Sequence, residues 1–333
     1  MTVVRGAMQG LVTVFGGSGF VGSQVVRQLA KRGHRVRVAV RRPGLAYRLR
    51  LLGDVGQIEI VQANIRDDES VARSLYEAEA AVLSVGVLWQ HGRQTFEAIQ
   101  AEGAERVAKA AAAEGIARLV HISAIGADPA SPAAYARSKA AGEAAVRQAL
   151  PGAVIVRPSV VFGPEDDFFN RFAAMAARGP VLPLIGGGKT RLQPVFVADV
   201  AAAVATALED PATAGQTFEL GGPGVYSFED LMKLVLLATG RKRPLAAVPA
   251  GFAALLGRLG DAIGSLGLVA PPITSDQVKM LAADNVVAPG ARGLADLGVA
   301  ATAVEAIIPT YLYRFCKGGQ YAEALAAAVL AQA

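Results

Sequence analysis

This sequence holds one cysteine, Cys316, in 333 residues. No intrachain disulfide is available, so stability must come from packing, as suits a reducing compartment. The three histidines, His34, His91 and His121, lack metal-ligand spacing, and no metal site is expected. Aromatic residues make up 6% of the chain, no block of consecutive Lys/Arg stands out, and no nucleic-acid motif appears, which argues against a nucleic-acid partner. Apolar runs never reach the roughly 18 uninterrupted residues that span a bilayer. The opening MTVVRGAMQG runs straight into LVTVF and leaves no room for a secretory or transit peptide. The expectation is a soluble or peripheral protein on the cytoplasmic side.

What the chain does have is apolar material in short pieces. Hydrophobic residues are 53%, charged residues 18%, and the net charge is a mild +5. The runs LVTVF (11–15), RVRVAV (35–40), IEIVQ (58–62), AAVLSV (80–85), RLVHIS (118–123) and AVIVRP (153–158) alternate with helical patterns, among them a long Ala-rich helix through TFEAIQAEGAERVAKAAAAEG. Strands that are apolar on both faces and separated by helices imply a parallel sheet covered on each side. The reading is an α/β doubly wound, Rossmann-type domain over 1–160, closed by AVIVRP. A smaller C-terminal lobe over 161–333, partly interwoven with the first, is expected to pack above the carboxyl ends of the strands. Its Gly/Pro-rich loops and helical stretches near 198–209, 227–240 and 274–284 mark the change of pattern.

VFGGSGFVG places Gly16, Gly19 and Gly22 between a strand and a helix. The first glycine allows a tight turn, the second admits a pyrophosphate, and the third lets the helix pack on the strand. An NAD site usually ends its second strand with a carboxylate for the ribose 2′-hydroxyl. Here Arg41 and Arg42 stand there instead, and guanidinium groups suit a 2′-phosphate through paired donors. NADP(H) is the expected cofactor.

Ser123, Tyr135 and Lys139 follow in chain order, in LVHISAIG and YARSK. Tyr135 is placed to give a proton to a carbonyl as hydride arrives. Lys139, one helical turn on, would lower the tyrosine pKa and hold the nicotinamide ribose, while Ser123 would hydrogen-bond the substrate oxygen. Glu165, Asp166 and Asp167 read as a helix cap rather than an acid–base pair.

With the glycine loop, this triad, RPSVVFGP and PVFVADVAAAV, the whole chain resembles an extended or atypical short-chain dehydrogenase/reductase. RRPGLAYRLRLLGDVGQIEIVQANIRD, YARSKAAGE, GPEDDFFNRFA, KTRLQPVFVADV, ITSDQVKML and LADLGV are similar to one branch, the NADPH-carrying accessory subunits of respiratory complex I, in bacterial form. The resemblance implies pyrophosphate contacts along Gly16, Ser18, Gly19, Phe20, Val21 and Gly22. It gives the 2′-phosphate to Arg41, Arg42 and Ser18, and adenine to Asn64 and Ile65. Val85 and Gly86 would lie beside the ribose, Tyr135 and Lys139 would bracket the nicotinamide ribose, and the backbone after Pro158 would border the ring. Asn64 departs from the Asp of many extended members. In that branch the nucleotide is structural, so the triad would persist as nucleotide-holding groups without independent turnover.

Two classes of function follow: an accessory subunit of NADH:quinone oxidoreductase, or a free-standing NADP-dependent reductase or epimerase. The accessory reading implies complex I subunits as partners and a peripheral place on the cytoplasmic side of a bacterial inner membrane, near the quinone entrance. The stretch LAAVPAGFAALLGRLGDAIGSLGLVAPP (245–272) separates them. Phe252, Leu255, Leu256, Leu259, Ile263 and Leu266 recur at helical spacing, and Arg241, Lys242 and Arg243 precede them. Four glycines among them predict poor order until something packs on the segment.

Overall fold

A computed structural model describes residues 10–265, 271 and 273–321. Strands β1 (Leu11–Phe15), β2 (Arg35–Val40), β3 (Ile58–Gln62), β4 (Ala80–Leu83), β5 (Arg118–Ile122) and β6 (Val154–Pro158) alternate with helices α1 (Phe20–Lys31), α2 (Asp68–Leu75), α3 (Glu102–Ala113) and α4 (Ala134–Ala149). Beyond them come β7 (Val161–Phe162), α5 (Phe168–Arg178), β8 (Leu182–Ile185), β9 (Arg191–Leu192), β10 (Val195–Phe196), α6 (Val197–Glu209) and β11 (Thr217–Leu220). The described part continues with β12 (Tyr226–Ser227), α7 (Phe228–Ala238), β13 (Leu245–Val248), α8 (Ala250–Ser265) and α9 (Ser275–Met280).

β1 and β4 are buried at every position, which is why they read as apolar runs, interrupted at Thr13, whose hydroxyl donates to Ser74 O at 2.7 Å. The central sheet has seven strands in the order β11-β6-β5-β4-β1-β2-β3, and every pairing within it is parallel. The doubly wound, Rossmann-type reading therefore holds. Strand order reverses between β1 and β4, so their carboxyl ends open a crevice of the kind that binds ligands in such sheets.

Three apolar clusters hold the layers together. Val25, Val26 and Leu29 of α1 join Val200, Val204 and Leu208 of α6 on one face of the sheet. Val107, Ala111 and Val146 cover the other face, over Phe15, Leu83 and Ile155. Phe162, Phe169, Phe172, Phe228 and Leu231 form a separate core outside the seven-stranded sheet.

Two expectations need correction. The strand series does not close at β6, because β11 pairs beside it in register from Thr217↔Ile155 to Leu220↔Pro158. Arg157 cements that edge, donating to both Glu143 oxygens at 2.9 and 2.7 Å and to Glu219 at 3.4 Å. Both β11 and α6 come from beyond residue 160, so the sheet and one of its covering faces draw on both halves of the chain. The Ala-rich helix is also not uniform. It opens with a π-helical turn, Glu97–Ala101, in which the buried Gln100 turns inward to donate to Val87 O at 2.8 Å.

Candidate functional site

The glycine loop joins β1 to α1 at the crevice. Gly16 has φ +77°, and its N–H donates to Ala39 O at 3.1 Å. A Cβ at Gly22 would lie 2.3 Å from Gly16 O, a distance no side chain tolerates, so only glycine lets α1 start against the loop. The helix has no side-chain cap and no acidic residue in its first turn. Its N-terminal N–H groups and partial positive charge are thus left for an anion. Phe20, Val21 and Ser18 are partly or fully exposed around that end.

Beside the loop opens a cavity of about 570 Å³, lined by Ser18, Arg41, Arg42, Gly86, Trp89 and Gln94 among others. Arg41 donates to Gln94 Oε1, and the Gln94 amide meets His91 Nε2. The Trp89 and His91 rings stack with centroids 6.2 Å apart. Burial, together with Arg66 and Arg42, holds the Arg41 guanidinium below its ordinary proton affinity. Crowded cations at the end of β2 fit a phosphomonoester, whose charge would relieve their repulsion. The donor set as a whole therefore fits an adenosine 2′-phosphate and a pyrophosphate.

Asn64 and Ile65 lie at the end of β3. The Asn64 side-chain oxygen already accepts from Arg66 N at 3.2 Å, and Ile65 is buried. Val85 faces the loop: a Cβ at Gly16 would come 2.9 Å from Val85 Cγ2. Gly86 lies near Lys139, whose Nζ would be 3.6 Å from a Cβ there.

α4 carries Tyr135 and Lys139 on one face. Lys139 is 4% exposed and donates to Ile122 O at 3.1 Å, with Nζ 5.9 Å from the Tyr135 ring centroid. Burial lowers its pKa to about 8, against an opposing pull from Glu143. Tyr135 packs edge-on to Phe96 at 5.8 Å, and burial pushes its phenol up to about 12. Ser123 Oγ is buried without a hydrogen-bond partner among the described residues. His121, one residue before the carboxyl end of β5, is buried, with its pKa lowered to about 3 by burial and then by Lys139. Pro158 is buried at the end of β6, and its carbonyl accepts from Ile125 N at 3.0 Å.

Sequence reasoning missed Trp89, His91, Gln94 and Arg66, which sit on loops without periodicity. It also missed Asp276, whose carboxylate accepts from Ala134 N at 2.7 Å and Tyr135 N at 2.8 Å, and so caps α4 from the second lobe. Asp166 does act as a helix cap: it accepts from Asn170 N at 3.0 Å and Gly163 N at 3.1 Å, and from the Tyr311 hydroxyl at 2.6 Å.

On α8, Phe252, Leu255, Leu259 and Ile263 are 55%, 52%, 54% and 45% exposed, and Leu256 lies beside them. The opposite side presents Gly257, Gly260 and Gly264 to Ser275, Ile273 and Pro271, so packing on the glycines comes from the chain itself. Leu266, Gly267 and Leu268 lie outside the described residues. Arg241 and Arg243 donate to Phe315 O and Ala176 O, while Lys242 is exposed. No helix among the described residues is long and apolar enough to cross a membrane.

A sequence model of the NAD dependent epimerase/dehydratase family matches residues 12–221. The chain is 34% identical over 323 residues to the mitochondrial NADH dehydrogenase [ubiquinone] 1 alpha subcomplex subunit 9 of Arabidopsis thaliana, covering 95% of this chain and 80% of that protein. It is 32% identical over 258 residues to a ceramide reductase of Caulobacter vibrioides, covering 78% of this chain and 80% of the relative. The NADPH-dependent quinone oxidoreductase QOR2 of Escherichia coli, solved with NADPH, superposes with a TM-score of 0.69 at 21% identity over 91% of this chain and 99% of that one. The glycine loop, the sheet order and the match across both halves of the sheet agree: the chain belongs to the NAD dependent epimerase/dehydratase family.

Proposed function

We propose that the protein is an NADP(H)-binding accessory subunit of respiratory complex I, held peripherally on the cytoplasmic side of a bacterial inner membrane, near the quinone site. The observation that carries this reading is the exposed apolar stripe of α8 on a chain a third identical to a respiratory NADH dehydrogenase subunit. Contiguous apolar surface of this kind marks a partner site more often than bare solvent-facing helix. Neighbouring subunits at the membrane surface are its occupant in this reading, with Lys242 toward acidic groups and the glycine loop facing away from the bilayer.

In this reading a nicotinamide dinucleotide supplies redox chemistry only as a latent property. Gly16, Gly19, Gly22 and Ser18 would hold its pyrophosphate and Arg41 and Arg42 its 2′-phosphate. Asn64 and Ile65 would flank adenine, and Val85, Gly86, Tyr135, Lys139 and Pro158 would line the ribose and ring. A phenol held up near 12 is poorly matched to proton transfer at neutral pH, which favours a holding role for Tyr135.

Two substitution sets test the reading. Leu255→Ser, Leu256→Ser and Leu259→Ser together should remove the protein from the NADH:quinone oxidoreductase band on native gels while NADPH stays bound. Wild-type protein migrating alone, or unfolding of the isolated triple variant, overturns the docking. Arg41→Asp with Arg42→Ala should empty the protein of NADP(H); co-purification of stoichiometric NAD(H) with the wild type reverses the cofactor choice.

The second reading, a free-standing reductase, is favoured by the complete Ser123, Tyr135 and Lys139 set and by the ceramide reductase relative. There Ser123 Oγ would hold a carbonyl oxygen and Tyr135 would protonate it. Loss of a measurable NADPH-dependent reductase activity in Tyr135→Phe decides for it. Unchanged quinone-reducing activity of the complex carrying that variant decides for the accessory role.

A further inference from the structure

The glycine face of α8 is the place where the exposed stripe meets the nucleotide site. A Cβ at Gly257 would lie 2.8 Å from Ser275 Cα, and one at Gly260 would lie 1.7 Å from Ile273 O. Backbone is thus pressed on backbone, and Ser275 N fastens the strap by donating to Asp261 Oδ1 at 3.2 Å. The next residue is Asp276, whose two oxygens take the first N–H groups of α4, including that of Tyr135 itself. Lys279 Nζ adds a contact to Pro132 O at 3.4 Å. A second route runs through Gly264, where a Cβ would sit 3.5 Å from Cδ1 of Trp89, a wall of the arginine-lined cavity. α8 therefore meets the cavity wall at Trp89 and reaches the start of α4 through Ser275 and Asp276, in both cases with the side opposite its exposed leucines.

We infer that the α8 stripe and the nucleotide site are two ends of one coupled element, with Asp276 as the positioning residue that joins them. Glycine-rich helix is intrinsically weak, so the order of α8 depends on what packs against it. Nucleotide seated between Trp89 and Lys139 steadies the 273–276 strap and with it α8. A partner seated on the leucines steadies the same strap from the other side. Ordering already done by one is not repeated for the other, and linkage makes the effect reciprocal: each raises the affinity of the other by the same factor, about 5- to 150-fold for couplings of this type. The partner arm rests on the accessory role proposed above; the nucleotide arm does not.

Hydrogen exchange of the full chain, alone and saturated with NADPH, tests it. Exchange should slow in 16–22, where nucleotide touches, and also in 250–265, which it does not touch, by about fivefold or more. Asp276→Ala should keep the protection at 16–22 and lose that at 250–265; Asp276→Asn, which retains one acceptor oxygen, should fall between and covers the case in which alanine prevents folding. Wild-type protein protected at 16–22 but unchanged at 250–265 overturns the coupling and leaves the docking proposal standing. Protection nowhere overturns the coupling and the nucleotide reading together. Distant protection that persists in a triple-serine variant detached from the complex supports the coupling even as it is separated from docking.

Discussion

Two glycine triplets recur at nearly the same spacing, Gly16-Gly19-Gly22 in the loop and Gly257-Gly260-Gly264 in α8. Both exist to bring backbone against backbone: Gly22 against Gly16 O, and Gly260 against Ile273 O. They differ in what the approach leaves behind. In the loop, N–H groups at the start of α1 are left without a side-chain cap beside a cavity that Arg41 and Arg42 help to line, so the closeness suits a ligand site. In α8 the opposing backbone is the chain's own strap, so the closeness is filled and the opposite, apolar side is left over. Glycine spacing alone does not distinguish a cradle from a packing groove. What the surrounding residues leave unsatisfied does.

The sharpest way to break the comparison is Gly22→Val. Its branches would meet a carbonyl that cannot retreat, and overpacking of that kind costs about 3 kcal/mol, enough to lower NADP(H) affinity by about 100-fold. Nucleotide released by heating the purified variant measures it; full retention would take the pyrophosphate out of the loop. Gly260→Ala should spare the nucleotide loop and loosen the strap instead. Displacing Ile273 O costs about 2 kcal/mol, set against about 1 kcal/mol gained in helix propensity. Faster hydrogen exchange confined to 273–280 is the expected result, and unchanged exchange would mean the strap does not depend on that glycine.

A buried group outside both triplets sharpens the contrast through pH. The folded pKa of His121, about 3, lies below its ordinary 6.5, so the unfolded chain takes up the proton first. Its contribution is complete above about pH 6.5 and is lost as pH falls toward 3. Each unit in that window costs about 1.4 kcal/mol. Between pH 7 and 5, wild-type protein should lose about 2 kcal/mol more than His121→Leu in urea unfolding. Parallel pH curves would show that the imidazole is not buried neutral. The smallest effect belongs to Gly264→Ala. The nearest atom, Pro271 Cγ at 3.2 Å, needs only a slight shift. Stability should stay within about 0.5 kcal/mol of wild type, since the gain in propensity offsets the crowding.

How far the sequence carried these conclusions depended on local signal. Most of the six strands were legible because strands buried on both faces leave apolar runs such as Leu11–Phe15, while the edge strand Ile58–Gln62 kept enough apolar residues to be seen. β11 was not, because Thr217–Leu220 is short and carries Glu219, whose carboxylate is met by Arg157 and Ala288 N, groups distant in sequence. The glycine loop, Arg41 and Arg42 and the Tyr135–Lys139 pair were legible because turn geometry and helical spacing are local. Gln94 and Trp89 were not, since their loop has no period. Asp276 reaches Tyr135 across 141 positions, a pairing that no spacing encodes. The apolar spacing of α8 was legible because helical periodicity is local, while its glycines were read only as a weakness because the strap that fills them is made by later residues.

The late pairing of β11 with β6 has a consequence for how the chain is made. During synthesis β6 emerges and can join β5, but its free edge must wait until the whole stretch from Ser159 to Gln216 has followed. At ordinary elongation rates that is roughly several seconds, during which unpaired N–H and C=O groups and the uncovered α1 side of the sheet are available to the wrong partner. Arg157 has its α4 partner, Glu143, already synthesised when β6 emerges, so that pair can form before Glu219 exists to complete it. The residue that later bolts β11 to the finished sheet is thus set in place on β6 by its own half of the chain before its last partner arrives.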